Sequence, residues 1–313
     1  MKKQKKIDSN KRKKGISKAA MADNISGYTF IGPWLIGFLA FSLIPIIISV
    51  YYSFTEYDLL SSPYFIGIEN FKNMISDSVF WKSLSVTFFY VLFAVPLRLI
   101  FALFIAVLFN RRARFLRVYQ AVYYFPSIIG GSIAVAVMWR RLFKNDGAIN
   151  SLLGLIGIHT NTSWIGYPKT AIWTLVILAA WQFGSSMLIF LAGLKQIPES
   201  YYESADIDGA NVFQKFFRIT IPQLSSVIFF NLIMQTINGF TIFTQAFVIS
   251  GGTGDPMNNT LVYALYLYQK SFTYYQMGYG CAMAWVLVFI IAIFTILIFK
   301  SSSSWVYYES KEN

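Results

Sequence analysis

The stretch that decides the fold is a polar segment between two long apolar ones. Residues 203–222 read ESADIDGANVFQKFFRITIP, and apolar windows at 170–194 and 219–254 flank them. The segment begins with acidic residues and has a glycine, Gly209, near its middle. Its second half places four apolar residues on one helical face: Val212, Phe213, Phe216 and Phe217. This pattern predicts two short helices joined at a glycine corner.

Long windows almost without charge fill most of the remaining chain. The composition is 56% hydrophobic and 13% charged, as is typical of a protein whose main solvent is lipid. Because lipid-exposed backbone must satisfy its own hydrogen bonds, windows longer than about 20 residues predict an all-α membrane protein with six transmembrane helices. The predicted spans, within one membrane domain over 28–300, are approximately 28–54, 84–109, 118–139, 170–194, 223–249 and 275–299.

Lys and Arg are divided unequally between alternate loops. Nine lie in the N-terminal tail, four between the second and third spans, three in the loop 195–222 and two near the C-terminus, against seven in the opposite loops. The positive-inside bias therefore predicts that both termini and this loop face the cytoplasm. The predicted cytoplasmic segments are the basic tail 1–27, the loop 195–222 and the C-terminal tail 301–313, and the outward loops are 55–82, 140–169 and 251–270.

The basic tail 1–27 has two alternative interpretations. It resembles a nucleic-acid or lipid-binding arm in charge, but it has no interleaved aromatic residues and directly precedes a span. A solvated tail that sets topology is therefore favoured, and no nucleic-acid partner is expected. The apolar stretch after it is too long for a signal-peptide core and lacks a small-residue cleavage site, so we expect the first span to stay. Membrane lipids are the expected surroundings of the bundle.

Enzymatic motifs are missing from the sequence. It has no G-x-x-x-x-G-K-[ST] phosphate loop and no H-E-x-x-H, and its single histidine, His159, falls in a predicted outer loop. None of the six windows contains Asp, Glu or His, whereas an intramembrane enzyme usually places such a group at membrane depth. We therefore predict no catalytic residue, no metal ligand and no enzyme activity.

The spacing within residues 203–222 resembles the EAA loop of permease subunits of binding-protein-dependent ABC importers. That pattern is E-A-A, three residues, G, nine residues, I-x-L-P, and this chain departs from it only at Ser204 and Ile221. The loop also falls between the fourth and fifth spans, as in that family. The resemblance implies that a separate ATPase is coupled through Glu203, Ser204, Ala205, Asp206, Asp208, Gly209, Ala210, Phe213, Ile219 and Pro222.

Shorter signatures narrow the resemblance to carbohydrate-uptake permeases of the maltose and glycerol-phosphate type. They are FIGIENF at 65–71, FPS at 125–127, WRRLF at 139–143 and GGTGDP at 251–256 followed by Asn259-Thr260. The family implies a type I importer permease fold in a bacterial cell membrane. It further implies a second homologous permease, two ATP-binding subunits that hold ATP and Mg²⁺, and an extracytoplasmic solute-binding protein or lipoprotein. No cofactor is expected on this chain itself.

The predicted corner has a physical rationale of its own. Pro198 suits the start of the first short helix, and Asn211 with Gln214 forms a potential capping pair for the second. We expect the apolar stripe from Val212 to Phe217 to bury against the membrane helices and to transmit ATPase closure, while the acidic first helix enters a groove on the ATPase. The alternative is an amphipathic helix that merely lies at the membrane interface.

Polar residues recur at helical spacing in the fifth predicted span, and more lie in the fourth. The fifth-span set, at steps of four, three, three and four, is Asn231, Gln235, Asn238, Thr241 and Gln245. The fourth-span set is Gln182, Ser185 and Ser186, and the family lines its cavity from these two spans. Amides and hydroxyls suit sugar hydroxyls. Without an acid at membrane depth a cationic substrate is disfavoured, so a neutral oligosaccharide or glycoside is expected. Interhelical hydrogen bonding is the alternative role.

Arg98 lies near the centre of the second span, where an arginine costs about 2.5–3.5 kcal/mol on insertion scales. Its potential partners are carbonyls freed by Pro96, cavity water, an anionic group on the substrate or an acid of the partner permease.

Two other function classes compete with an importer subunit. A channel or secondary transporter needs no ATPase lever, and a membrane scaffold needs no polar stripe.

Overall fold

The computed structural model describes residues 18–110 and 116–307. Residues 1–17, most of the basic tail, lie outside the described residues, as do Arg111, Arg112 and Arg114 of the second-to-third connection and residues 308–313 of the C-terminal tail. Within the described ranges the chain is almost entirely helical. Its one small sheet pairs β1 (Thr55–Glu56) antiparallel with β2 (Tyr64–Phe65). The all-α prediction is confirmed.

The described residues up to 51 form one unit, and those from 52 to 307 form a second. In the first unit, α1 (Lys18–Phe38) continues through a π-helical turn (Leu39–Leu43) into α2 (Ile44–Ser53). The Ile44 N–H bonds to the Leu39 carbonyl, and Pro45 follows directly. A wider turn there relieves the clash between a proline ring and the carbonyl four residues earlier. The helical stretch Gly27–Ser53 is apolar, and none of its most apolar 18-residue window is buried, as expected for a lipid-facing span.

The second unit contains the other helices. In chain order they are α3 (Glu69–Ser76), α4 (Ser78–Phe109), α5 (Leu116–Ile129), α6 (Ile133–Leu142), α7 (Ala148–Leu155), α8 (Pro168–Trp181), α9 (Gly184–Leu194), α10 (Glu199–Ile207), α11 (Val212–Lys215), α12 (Ile221–Gln223), α13 (Ser225–Phe240), α14 (Thr244–Ser250), α15 (Tyr263–Tyr268) and α16 (Met277–Trp305). Two π-helical turns, Phe216–Thr220 and Gln269–Thr273, follow α11 and α15.

The longest described helix, α4, is the centre of this unit. It packs against α8, α9 and α13. One apolar cluster joins α4 to α8 and to the four helices α13, α14, α15 and α16, through side chains such as Leu175, Phe240 and Tyr263. A second cluster joins it to α9 and the start of α13 through Phe190 and Leu224. Because α4 belongs to both clusters, its own residues hold a fixed position relative to the fourth and fifth spans.

Asp77 anchors the start of α4. One of its carboxylate oxygens accepts the N–H of Val79 at 2.9 Å, and the other accepts the hydroxyls of Tyr266 at 2.5 Å and Tyr279 at 2.9 Å, with the Lys270 ammonium 3.7 Å away. Burial raises the pKa of this carboxyl, but the two tyrosine hydrogen bonds and the helix cap outweigh burial, so the pKa lies below its usual value. The start of α4 is thereby tied to α15 and α16.

The helices differ from the predicted spans in continuity. Four stretches are long enough to span a bilayer without a bend of more than 40°: Gly27–Ser53, Ser78–Phe109, Pro168–Leu194, which is interrupted only at Gln182 and Phe183, and Met277–Trp305. The predicted third span, 118–139, is instead bent by 97° between α5 and α6. The sequence Gly130-Gly131-Ser132 explains this break, because glycine weakens a helix and the Ser132 hydroxyl accepts the Val135 N–H as the N-cap of α6.

The predicted fifth span, 223–249, was also wrong as a single helix. The helix from Val212 to Gln223 meets α13 at 66°, and α13 ends at Phe240. The Thr241 hydroxyl donates to the carbonyl of Ile237 at 3.0 Å, and Phe243 leaves the helical region with φ −136° and ψ −64°. The β-branched pair Thr241-Ile242 after Gly239 favours such an ending. The chain then resumes as α14.

Candidate functional site

A cavity of about 360 Å³ lies beside the middle of α4. Its walls come from α4, α8, α13, α14 and the segment that joins α13 to α14. Its polar lining consists of Tyr90, Arg98, Gln182, Gln235, Asn238, Thr241, Thr244 and Gln245. Leu175, Leu178 and Ile242 supply part of the apolar lining. The cavity therefore combines apolar walls with a few convergent polar groups, as ligand sites usually do.

Six of the nine residues predicted for the substrate path line this cavity. They are Arg98, Gln182, Gln235, Asn238, Thr241 and Gln245. The prediction that the fifth-span set shares one helical face was wrong for its last two members, since Thr241 is the C-cap of α13 and Gln245 belongs to α14. They reach the cavity because the chain turns between the two helices. The break, rather than a helical face, brings them together.

The other three predicted residues lie outside the lining. Ser186 is fully buried and accepts the Gln235 amide at 3.1 Å, which holds that glutamine in place. The Ser185 N–H donates to the Ser127 hydroxyl at 3.1 Å. Asn231 is buried and donates to the Val227 carbonyl at 3.1 Å. The bonds of Ser185 and Ser186 connect α9 to α5 and α13, which is the role that the interhelical alternative expected, whereas the Asn231 bond stays within α13.

Three helix breaks in the described part of the chain meet at the cavity. The carbonyl of Gly130, between α5 and α6, accepts the side-chain amides of Gln182 at 2.9 Å and Gln245 at 3.4 Å. Gln182 lies between α8 and α9, and Gln245 follows the break between α13 and α14. The Ser127 hydroxyl also donates to the Gln182 carbonyl at 2.9 Å. Irregular backbone at membrane depth is tolerated where it is buried in protein or lines a cavity, and here it does both.

The cavity glutamines present acceptors to the interior. Gln182, Gln235 and Gln245 each donate through Nε2 to a protein oxygen. Among the described residues, no hydrogen bond reaches their Oε1 atoms. The orientation of a glutamine amide is assigned from its hydrogen bonds, and in each of these three the nitrogen is the atom that bonds to the protein. The cavity therefore offers carbonyl oxygens to hydroxyl donors.

Sequence reasoning missed two polar members of the lining, Tyr90 and Thr244. Tyr90 has a detectable signal, because Tyr90, Ala94 and Arg98 recur at steps of four and share one face of α4. Thr244 has no such signal. Its position depends on where α13 ends, and the apolar run around it does not show that break.

The segment after α9 forms a corner, as the sequence predicts. Pro198 precedes α10, and Gly209 has φ +73°, the left-handed region that glycine adopts without strain. The N–H of Ala210 bonds to the Ala205 carbonyl at 2.9 Å and the N–H of Gly209 to the Asp206 carbonyl at 3.1 Å. This pair is a Schellman motif, which closes α10 and satisfies its last carbonyls.

The second arm of the corner is capped and braced. Asn211 and Gln214 exchange hydrogen bonds of 2.8 and 2.9 Å as a capping box, as the sequence predicts. Lys215 forms an ion pair with Asp206, which links α11 to α10. We define the corner as residues 199–223. Its ten predicted coupling residues lie on α10 (Glu203, Ser204, Ala205, Asp206), at the turn (Asp208, Gly209, Ala210) and on the second arm (Phe213, Ile219, Pro222).

The apolar stripe of the corner was predicted to bury against the membrane helices, and this prediction was wrong for three of its four residues; only Phe216 is half-buried. The exposed fractions are 67% for Val212, 76% for Phe213 and 64% for Phe217, and Ile207 on the other arm is 87% exposed. The braces explain this, because the bend at Leu224 and the contact between the Tyr202 and Thr220 hydroxyls, 2.9 Å apart, set the direction of the second arm. The corner presents its apolar side outward.

Comparison with known proteins identifies the family. A family profile described as "Binding-protein-dependent transport system inner membrane component" matches residues 74–308, which include the cavity and the corner. The chain belongs to this family. As an inner membrane component of a transport system it is a transport subunit rather than an enzyme, and it crosses the membrane several times.

Relatives of this inner membrane component match over nearly their whole length. It is 56% identical to the probable ABC transporter permease protein YesP of Bacillus subtilis (strain 168), over 95% of this chain and 96% of that protein. It is 31% identical to the arabinooligosaccharides transport system permease protein AraP of the same organism, with 88% of each chain covered. A third relative is the lactose transport system permease protein LacF of Rhizobium radiobacter, at 30% identity over 89% of this chain and 94% of LacF.

Solved structures show the same fold. A chain from the crystal structure of a bacterial alginate ABC transporter in complex with alginate pentasaccharide-bound periplasmic protein superposes with a TM-score of 0.77 at 18% identity, over 91% of this chain and 96% of that one. A second alginate importer structure superposes with a TM-score of 0.71 at 20% identity, over 91% of this chain and 97% of that one. The predicted type I importer permease fold is confirmed for this inner membrane component.

Proposed function

We propose that this chain is one of two permease subunits that form the translocation path of an ATP-driven sugar importer. The observation that carries this proposal is the cavity where three helix breaks meet. Its apolar walls and inward-facing glutamine oxygens suit an oligosaccharide or glycoside, whose rings stack on apolar surface and whose hydroxyls donate hydrogen bonds. The names of AraP and LacF, which refer to arabinooligosaccharides and lactose, support a sugar as the substrate class.

The corner is the proposed contact with a separate ATP-binding subunit. Its fixed shape comes from the Schellman turn at Gly209 and the Lys215–Asp206 ion pair, and its apolar side chains are exposed. Exposed apolar patches rimmed by polar residues are typical of protein–protein contacts. In this proposal ATP and Mg²⁺ bind to two such subunits, and closure of those subunits moves the corner and, through the bend at Leu224, α13 and the cavity wall.

The remaining partners follow from topology. The distribution of Lys and Arg supports an orientation with both termini and the corner in the cytoplasm, and the family supports a bacterial cell membrane. The opposite loops then face a solute-binding protein or lipoprotein that delivers the sugar. A second homologous permease completes the path, and lipids surround the bundle.

A channel or secondary transporter is the competing function. Such a protein moves solute without a separate ATPase. A channel or secondary transporter would therefore not explain why the braced corner exposes its apolar residues. The exposure of Phe213 and Phe217 therefore favours the importer.

Reconstitution tests the proposal. The chain is assembled in proteoliposomes with the second permease, the ATP-binding subunits and the binding protein from the same gene neighbourhood, and uptake of a panel of radiolabelled oligosaccharides is measured. We expect uptake of at least one sugar that requires both ATP and the binding protein. Equal uptake without ATP would favour the channel or secondary transporter.

A further inference from the structure

Arg98 contributes the only charge to the cavity lining within the described part of the chain. The other lining residues are neutral, and no hydrogen bond or ion pair involves Arg98 among the described residues. Its Nε is buried without a partner. Pro96 has no N–H for the Leu92 carbonyl, but in the described residues no hydrogen bond joins Arg98 to that carbonyl or to any other. The guanidinium therefore presents unused donors to the cavity.

The neighbours of Arg98 divide the recognition chemistry into two parts. The glutamine Oε1 atoms accept hydrogen bonds, so they suit hydroxyl groups. Arg98 only donates, and its planar fork of N–H groups matches a carboxylate in a two-point contact. A wholly neutral sugar would use the acceptors but would leave the charge of Arg98 without compensation.

We propose that the transported sugar is acidic and that Arg98 binds its carboxylate in the cavity. This inference rests on the proposed function and narrows its substrate class to an oligosaccharide that contains a uronic acid. The neutral substrate expected from the sequence followed from the lack of acids at membrane depth. The lack of acids disfavours a cationic substrate but not an anionic one. The position of Arg98 on the cavity wall favours an anionic substrate.

Of two further cavities, the larger is lined by Glu56, Asp58, Glu69, Asp77 and Lys270 among others, so it is acidic, and no residue of α14 lines it. The other, which α14 borders, has the same sign of charge as Arg98. It measures about 430 Å³ and is lined by Arg140, Lys144 and Asp255, among others. In the part of the chain that the structure describes, Arg140 and Lys144 take part in no ion pair, while the adjacent Arg141 pairs with Asp146 at 2.9 Å. Asp255 offsets one of the two charges, so the lining keeps a net positive charge.

The helix α14 lines both this cavity and the one at Arg98. Gln245 faces the cavity at Arg98, and Ile249 and Ser250 face the other, four and five residues further along. At 1.5 Å per residue these positions are roughly 6–8 Å apart along the helix. An acidic sugar that passes along α14 thus meets Arg140 and Lys144 at one end and Arg98 at the other. Basic side chains thus line both of the cavities that α14 borders.

A carboxylate of the second permease is the competing partner for Arg98. Such a contact would place Arg98 at the surface between two subunits. Arg98 faces a cavity lined by Leu175 and Leu178 of α8 and Gln235 of α13, so a partner carboxylate would have to reach into the space proposed for the substrate. The substrate is the occupant that this position favours, and the experiment separates the two.

The experiment compares two sugars that differ only in the acid group. The assembled importer in proteoliposomes is supplied with a radiolabelled uronic-acid trisaccharide or with its carboxyl-reduced counterpart of the same linkage. Binding to the isolated solute-binding protein is measured separately, so that each variant is judged by its ratio of acidic to reduced uptake relative to the unaltered importer. The variants are Arg98→Gln, Arg98→Lys and, as a matched control outside both cavities, Arg117→Gln.

We expect Arg98→Gln to lower that ratio by about 10- to 100-fold, Arg98→Lys to lower it less, and Arg117→Gln to leave it unchanged. An unchanged ratio in Arg98→Gln overturns the proposal, as does an unaltered importer that takes up the reduced sugar but not the acid. If Arg98→Gln prevents assembly with the second permease, Arg98→Lys decides: a lower ratio supports the substrate contact, and an unchanged ratio indicates the partner carboxylate. A failure of ATP-driven uptake for every sugar would refute the proposed function instead.

Discussion

Replacing Gly209 tests whether the shape of the corner matters for transport. Gly209 has φ +73°, and a Cβ added there has no atom within 4 Å. The cost of Gly209→Val is therefore conformational, and the left-handed region costs an L-residue about 1–2 kcal/mol, with β-branched residues at the upper end. The two Schellman hydrogen bonds from Gly209 and Ala210 depend on that conformation.

The size of the effect follows from this cost. Because the corner is exposed, it can rearrange without unfolding the bundle, and 1–2 kcal/mol lowers the equilibrium constant for the native corner over its alternatives by roughly 5- to 30-fold. We expect Gly209→Val to abolish most uptake and most substrate-stimulated ATP hydrolysis, while the permease stays folded and present in the membrane. Uptake, ATP hydrolysis and the thermal stability of the purified complex measure these three quantities.

The matched control is Gly209→Asn, since asparagine tolerates the left-handed region far better than valine. We expect it to retain most of the uptake. If Gly209→Val transports as well as the unaltered chain, the corner does not act as a rigid lever. If the asparagine and valine variants lose activity equally, the backbone conformation is not the cause.

Three further changes address the cavity and the packing. Asn238→Leu, which removes an exposed cavity amide, is expected to reduce uptake by roughly 2- to 10-fold at an unchanged membrane level, whereas Met234→Leu one turn away leaves uptake unaltered. Asp77→Asn is expected to lower the melting temperature at neutral pH. Because its folded-state pKa is lowered, the stabilisation is present above the unfolded value of about 4 and is lost as pH falls through the folded value, so the two proteins converge in acid. Gly130→Ala places a Cβ 2.5 Å from the Gln182 side chain and should reduce the yield of folded protein. Gly131→Ala, where nothing lies within 4 Å of the added Cβ, should not reduce it. Equal yields of the two variants would contradict the tight contact at Gly130.

Much of the fold could be predicted because lipid imposes simple requirements. Windows free of charge predict helices, and the all-α class follows from the need to satisfy the backbone. The corner was also predictable, since Gly209 and the Asn211–Gln214 pair are local signals that act within a few residues. The local sequence alone was sufficient to predict these features.

The helix breaks and the direction of the corner could not be predicted in the same way. Composition does not show that α13 ends at Phe240, because the residues from Thr241 to Phe243 are compatible with a continuous helix as well as with a break. The outcome depends on tertiary contacts such as the bond from Gln245 to the Gly130 carbonyl. Likewise, an apolar stripe predicts burial but does not say against what, and Phe213 faces away from its own bundle.

Site-specific photo-cross-linking from position 213 tests the central claim most directly, namely that a separate ATPase drives this permease through the corner. A photoreactive phenylalanine analogue replaces Phe213, which is 76% exposed on the corner, or Phe230, which is 51% exposed on α13 and serves as the control. The assembled importer is irradiated in membranes with and without ATP. We predict a cross-link to the ATP-binding subunit from position 213 and none from position 230. Cross-links from position 213 to lipid or to the permeases alone would contradict the account.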